Sequence, residues 1–450
     1  MKIQELKKLV QGGKCDTVLT VFPDMQGRWM GKRVTGKYFI EHVVEHGVEA
    51  CNYLLTVDVD MEPVQGYAFA SWVKGYGDFH LVPDFSTLRL VPWLEKTALV
   101  ICDLYDQKGN LIPIAPRSIL KAQVAKAKKL GASVMMGSEL EFYLFKETFD
   151  SAQQKRYQGL QTSANYIEDY HILQTSKDEP VIRDIRNAME GAGVEVEFSK
   201  GEWGAGQQEI NLKYSDALEM ADRHTVYKNG VKEIAHLKGV AVTFMAKYAT
   251  ACAGSSCHNH ASLWDAKVKK SLFWDERRKD GSEAFRNFLA GQIALAQDFS
   301  IFFAPTVNSY KRYQSGSFAP TKIAWGHDNR TCGFRIVGEG NSHRIENRIP
   351  GADANPYLAF AATIAAGLYG MERKLKVAEA YHGNAYLDDS LPQVPLTLRD
   401  AIRKMDESQI ARKLFSPEII DHYLYAARVE QSHADQNVTD LELIRGFERL

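Results

Sequence analysis

Two glutamates, Glu139 and Glu141, interrupt the apolar stretch MGSELEFYLF at residues 136–145. Its aromatic and aliphatic content is that of a buried β-strand, in which residues i and i+2 share a face. Glu139, Glu141 and Tyr143 then point one way and Leu140, Phe142 and Leu144 the other, with the two carboxylates about 7 Å apart. A solvated face is the plain explanation for such a pair, because acids are seldom buried unpaired. The same spacing returns in SSCHNHASLW, where His258, His260 and Ser262 share a face, and in HRIENRIPG, where Arg344, Glu346 and Arg348 do. A carboxylate between two arginines also suits a simple ion-pair ladder. An imidazole face beside a carboxylate face, however, suits a divalent cation, and oxygen donors with one or two imidazoles favour Mg²⁺ or Mn²⁺ over structural zinc.

Between these stretches, GEWGAGQQEINL opens on Glu202, makes a Gly-rich turn and carries Glu209 into a further strand beside Gln207 and Asn211. Gly204 and Gly206 either let backbone approach a ligand or simply form the turn. Downstream, Arg312, Arg330 and Arg335 fall within two dozen residues, alternating with apolar Ile323, Trp325, Phe334 and Ile336. Planar guanidinium groups near a metal site suit carboxylate and polyphosphate recognition. The sequence has no G-x-x-x-x-G-K-[ST], no G-x-G-x-x-G opening a helix and no kinase signature set. A nucleotide would therefore have to be held by metal and side chains.

The elements that must position these residues follow from pattern. Strand-like segments at Thr17–Phe22, Cys51–Val59 and Ala98–Leu104 predict a small mixed α/β unit at the N-terminus. IPIAPR (112–117) carries two prolines, and Ile119–Leu130 has helical periodicity that stops at Gly131. The boundary is placed there, giving domains 1–112 and 113–450. Long helices are expected over Ser215–Lys238, Ser282–Phe302 and Pro356–Tyr381, so the fold class is α+β. The 450 residues, 45% hydrophobic and 25% charged, give ample core. With 55 basic against 56 acidic residues, net charge −1, nothing global argues for nucleic acid or an anionic membrane. MKIQELKKLV lacks the apolar core of a secretory signal, and the longest uncharged run, Ala354–Met371, is too short to span a bilayer, so a cytoplasmic protein is expected. Six cysteines without a C-x-x-C pair read as reduced thiols. Cys257 and His258, as strand neighbours, face opposite ways and make a poor nucleophile–base pair.

Taken in order, SELEFYLF, GQQEINL, AGSSCHNHASLW, NSYKR, DNRT and RIENRIPGADANPYLAFAA resemble the glutamine synthetase family over nearly the whole chain. The resemblance implies an N-terminal β-grasp domain and a larger catalytic domain with a curved antiparallel sheet flanked by helices. It implies a homododecamer of two hexameric rings with sites between neighbouring subunits. It also implies ATP-dependent activation of L-glutamate through γ-glutamyl phosphate, followed by attack of a nitrogen nucleophile. Carried over by motif, Glu141, Glu202 and Glu209 resemble the ligands of one divalent ion, and Glu139, His258 and Glu346 those of a second. Gly254, Arg312, Arg330 and Arg348 resemble the glutamate-binding set, with the three arginines as catalytic residues. Glu197, His260, Ser262, Arg330, Arg335 and Arg344 resemble the ATP-binding set.

Departures from the family pattern bear on the nucleophile. The flap glutamate that ammonia-using members carry after NSYKR is replaced here by Phe318. The ammonium-binding aspartate has no clear counterpart in DVDMEPVQGYAFASWVKGYGDF, where Asp58 and Asp60 are the available substitutes, and the asparagine normally preceding Gly254 is Ala253. An ammonium ion is small and strongly hydrated, and its pocket needs carboxylates that a phenyl ring cannot supply. With Trp203 and Trp325 near the site motifs, the chain is expected to use an organic primary amine, as in the γ-glutamyl-amine ligase branch whose members take ethanolamine, small alkylamines, polyamines or aromatic amines. Polyamines are less favoured, since a second cationic end would want acids. The alternatives are a glutamine synthetase using ammonium and a non-catalytic structural or regulatory member. The latter would be marked by loss of ligand residues, whereas all six positions hold competent side chains.

Overall fold

The computed structural model describes residues 1–278 and 281–450. Two sheets organise it. The first has six strands, β1 (Thr17–Pro23), β2 (Trp29–Thr35), β3 (Val48–Cys51), β4 (Asp78–Pro83), β5 (Arg89–Leu90) and β6 (Thr97–Tyr105). Their order is β2-β1-β6-β4-β3, with β5 also beside β6; β1 and β6 run parallel and the other pairs antiparallel. The expected strand over Cys51–Val59 is not one. Pairing of β3 with β4 ends at Cys51–Asp78, the Asn52 side chain accepts from Gly77 N–H, and a 3₁₀ turn over Asn52–Leu55 carries Leu55 into the core.

The second sheet has nine strands: β7 (Ala132–Phe145), β8 (Val196–Gly201), β9 (Gln207–Leu212), β10 (Ser215–Asp216), β11 (Ala241–Thr243), β12 (Cys257–Asp265), β13 (Trp325–His327), β14 (Phe334–Val337) and β15 (Arg344–Asn347). The order β13-β14-β15-β12-β7-β9-β8, with β10 and β11 also on β7, puts the long strand β7 at the centre. All pairs are antiparallel except β13 with β14, so the sheet is mixed at that edge rather than purely antiparallel.

One face of this sheet rests on helices. Leu140 and Phe142 of β7 are buried there, close to the helix Ala217–Leu237, whose His224 Nδ1 lies 2.7 Å from Ser138 Oγ. The helix Pro116–Lys129 starts with proline at its first position, where no intrahelical N–H is needed, and packs against the helix Pro356–Arg373. The latter crosses the helix Glu283–Ala294 at Gly291 and Gly370; a Cβ on Gly370 would stand 2.1 Å from Asn287 O. Two expected helices are shorter than their patterns. Ser282–Phe302 breaks after Ala294, and Phe299 and Phe302 turn into the core, while Pro356–Tyr381 ends at Arg373 because Lys374 adopts a left-handed conformation (φ 51°). Among the described residues no helix is long and apolar enough to cross a membrane.

Arg117 ties the first sheet to the helix layer behind the second. Buried, it donates to Asp103 of β6 (2.6 Å), to Asp84 following β4 (2.8 Å) and to both carboxylate oxygens of Asp222 on the helix Ala217–Leu237 (3.0 and 2.8 Å).

Candidate active site

Register places the acids. On β7, Glu139 lies opposite His258 of β12 and Asn211 of β9, and Glu141 lies opposite Glu209 of β9. On β15, Glu346 lies opposite His260 of β12 and Arg335 of β14. Alternation then turns these side chains to the sheet face away from the helices, where Glu139, Glu141, Glu209, His258, His260 and Arg335 line a cavity of about 800 Å³ and Glu346 lies fully buried beneath its wall. The six candidate ligands form two groups, Glu139–His258–Glu346 and Glu141–Glu202–Glu209, with the donor atoms of each group within 4.8 Å of one another.

The two groups differ electrostatically. In the first, Glu346 is buried, yet Arg335 Nη1 donates to its Oε2 (2.7 Å) and Arg348 Nη1 to its Oε1 (2.5 Å). Burial alone would raise its pKa, but Arg348, His258 and His260 outweigh that and pull it down to about 2. Glu139 is likewise pushed up by burial but held well below the usual carboxylate range by His258 and His260. Arg344 Nε donates to His260 Nδ1 (3.2 Å), which leaves the ring's Nε2–H to donate to Glu139 Oε2 (2.9 Å). His258 Nδ1 lies 3.3 Å from Glu139 and 3.5 Å from Glu346, and its pKa is lowered by burial and by Arg348.

In the second group the acids crowd one another. Burial, then Glu139, Glu202 and Glu141, push Glu209 well above the usual range, and burial, then Glu202, raises Glu141. Glu209 Oε2 is buried without a hydrogen-bond partner. Glu141 is held by Ser256 Oγ (2.5 Å), Ser256 N–H (2.8 Å) and Gln207 Nε2 (2.9 Å). An orphaned carboxylate oxygen among three converging acids, all hard oxygen donors, fits a divalent cation.

Arginines rim the cavity. Buried Arg312 donates to Ile349 O (2.9 Å) and Arg348 O (3.0 Å), Arg335 is braced by Asp328 (2.8 Å), and half-exposed Arg330 stands 3.8 Å from the same aspartate. The cavity walls bring together Gly254, Arg312, Arg330 and Arg348 with Glu197, His260, Ser262, Arg335 and Arg344. Phe318, at φ 60° in the loop after NSYKR, and Trp203 also line it, their rings 5.7 Å apart.

Trp325 does not belong there. It lies opposite Phe334 of β14, whose neighbour Arg335 faces the cavity, so alternation turns both aromatic rings to the other face; Trp325 is buried and donates Nε1–H to Ala378 O (2.8 Å). Asp58 and Asp60 do not line the cavity; Asp58 lies on a separate one of about 630 Å³ and accepts from the backbone of Asp60 and Glu62. Sequence reasoning missed Ser256 and Lys200. Each sits two residues before a flagged residue on an extended segment, His258 and Glu202, so the same-face rule could have found both. All six cysteines are free, and Cys257 points away from His258 toward Ser138 (3.5 Å).

A glutamine synthetase catalytic-domain family model matches residues 113–445. The chain is 48% identical to a gamma-glutamylethanolamide synthetase of Streptomyces coelicolor, over 100% of this chain and 96% of that protein. It is 38% identical to a glutamate–isopropylamine ligase of a Pseudomonas species, over 99% and 97%. The solved structure of ligand-free GmaS superposes with a TM-score of 0.86 at 27% identity, over 99% of this chain and 100% of that one. With acids, histidine and arginines converging in one cavity and a family model spanning most of the length, the chain belongs to the glutamine synthetase family.

Proposed function

We propose that the protein is an ATP-dependent ligase joining the γ-carboxylate of L-glutamate to an organic primary amine through γ-glutamyl phosphate, in preference to ammonium. The observation that carries the choice of nucleophile is the Phe318–Trp203 ring pair on the cavity wall, where ammonia-using members carry a glutamate. Apolar rings give an alkyl, hydroxyalkyl or aromatic substituent a surface to rest on, and a bare ammonium ion gains nothing there. The relatives named for a gamma-glutamylethanolamide product and for ligation of isopropylamine support the same reading.

In this reading Arg312, Arg330 and Arg348, with the Gly254 backbone, orient glutamate, and Arg330, Arg335 and Arg344, with Glu197, His260 and Ser262, hold ATP. Glu141, Glu202 and Glu209 would hold one Mg²⁺ or Mn²⁺ ion and Glu139, His258 and Glu346 a second. Bound there, such ions supply Lewis-acid neutralisation of phosphate charge. Arg335 and Arg344, held on strands of the sheet, add to it without reorganising during the reaction. The reading further divides the chain into an N-terminal β-grasp unit (1–112) and a catalytic unit (113–450) within a cytoplasmic homododecamer; the family match beginning at 113 supports the division.

Phosphate release from ATP with L-glutamate and a panel of ethanolamine, isopropylamine, benzylamine, putrescine and ammonium tests the function. The expected kcat/KM is at least about tenfold higher for one of the small organic amines than for ammonium. A preference for ammonium would instead make the protein a glutamine synthetase with an altered flap.

A further inference from the structure

The second acid group contains a cation of the chain's own. Lys200 on β8 is paired in register with Glu209 of β9, so the two side chains share a face. Its ammonium forms a short ion pair with Glu202, both side chains being largely buried (15% and 16% exposed). Among the described residues, Lys200 is the only basic side chain within ion-pair distance of Glu141, Glu202 or Glu209. The contrast with Glu346 is informative, since that acid's two guanidinium partners are pinned: Arg335 by Asp328 and Arg348 by the Phe318 carbonyl (3.2 Å). The Lys200 side chain is long and flexible and has a second resting place beside the first. Its Nζ is 3.4 Å from Asp169 Oδ1 and 4.3 Å from the centroid of the Tyr170 ring, an acid and an aromatic face able to receive an ammonium that lets go of Glu202.

We propose that Lys200 is a tethered counter-cation of the Glu141–Glu202–Glu209 group, which a divalent ion displaces toward Asp169 and Tyr170 when it binds. The inference rests on the metal reading given above. Three acids in a largely buried site repel one another, and one ammonium beside Glu202 offsets part of that repulsion, which stabilises the ion-free protein. It also leaves Glu209 Oε2 without a partner, and that oxygen is open to an entering ion. A divalent ion answers two charges, so exchange of lysine for metal brings the site closer to neutral. The consequence is that Lys200 weakens metal binding while stabilising the metal-free state.

Titration calorimetry of the nucleotide-free protein with Mn²⁺, comparing wild type, Lys200→Met and Lys200→Arg, tests this directly. Lys200→Met is expected to bind Mn²⁺ about tenfold more tightly than wild type, the worth of one charge-assisted hydrogen bond. In chelator it should melt at a lower temperature than wild type and gain more from added Mn²⁺. Lys200→Arg, which keeps the charge, should bind no more tightly than wild type. Equal or weaker Mn²⁺ binding by Lys200→Met, with wild-type binding intact, would overturn the displacement, as would tightening in Lys200→Arg. Absence of Mn²⁺ binding by the wild type would overturn the metal reading itself.

Discussion

At position 318 a phenyl ring faces Trp203 across 5.7 Å, half-exposed to the cavity, with its backbone carbonyl accepting from Arg348. The ring's contribution is contact area, and what it withholds is a charge. Phe318→Glu should therefore shift the protein toward ammonium: the ratio of kcat/KM for ammonium to that for its best amine is expected to rise about tenfold, measured by the same phosphate-release assay. An unchanged ratio would remove Phe318 from nucleophile selection. The candidate metal residues were legible because side-chain alternation is strict: Glu139 with Glu141, and His258 with His260, announce a shared face without any tertiary information. Trp325 was misplaced because proximity to a site motif does not fix a face. That face follows from pairing with Phe334, nine residues further along the chain.

Among the elements, the central strand β7 carries two tasks, packing Leu140 and Phe142 against helices while presenting Glu139 and Glu141 to the cavity. The helix layer behind it depends on close approach. Gly291 and Gly370 meet where the helices Glu283–Ala294 and Pro356–Arg373 cross, and a methyl group on Gly370 would press on backbone oxygen rather than on a yielding side chain. Gly370→Ala is expected to destabilise the protein by about 1–3 kcal/mol, read as a lower urea midpoint, even though alanine favours helix more than glycine does. A neutral or stabilising result would mean that the crossing relaxes. Helix existence was legible from periodicity, but two helix ends were not. The Ser282–Phe302 pattern continues past Ala294 while the chain bends so that Phe299 and Phe302 can pack, a case of tertiary burial overriding local period.

Across the whole molecule, buried polar groups join the first sheet to the rest. Arg117 spans Asp84, Asp103 and Asp222. His422, on the helix Pro417–Gln436, donates from Nε2 to Leu55 O (3.0 Å) and packs against Tyr67 and Met25. Burial lowers its pKa from 6.5 to about 4, although the Leu55 carbonyl opposes the shift. A base depressed on folding stabilises the native state above its unfolded pKa, and that stability is lost as pH falls from about 6.5 through 4. Between pH 7.5 and pH 5 the loss attributable to His422 is about 2 kcal/mol. Urea unfolding at the two pH values should show this difference in wild type and not in His422→Gln; equal pH dependence in both would assign acid sensitivity elsewhere.

The sequence alone determined which residues could share a face, because that depends only on the two-residue repeat of a strand, and six ordered motifs carried the family and its acid, histidine and arginine sets. Tertiary structure decided what those faces meet. Strand order and register, set by pairing that reaches segments more than a hundred residues apart, as between Ala132 and Asp265, brought Glu139 beside His258 and Glu346, placed Glu141 against Glu209, and put Lys200 among the acids. Register is a long-range property fixed by the burial of the opposite face, and no local window of the chain contains it.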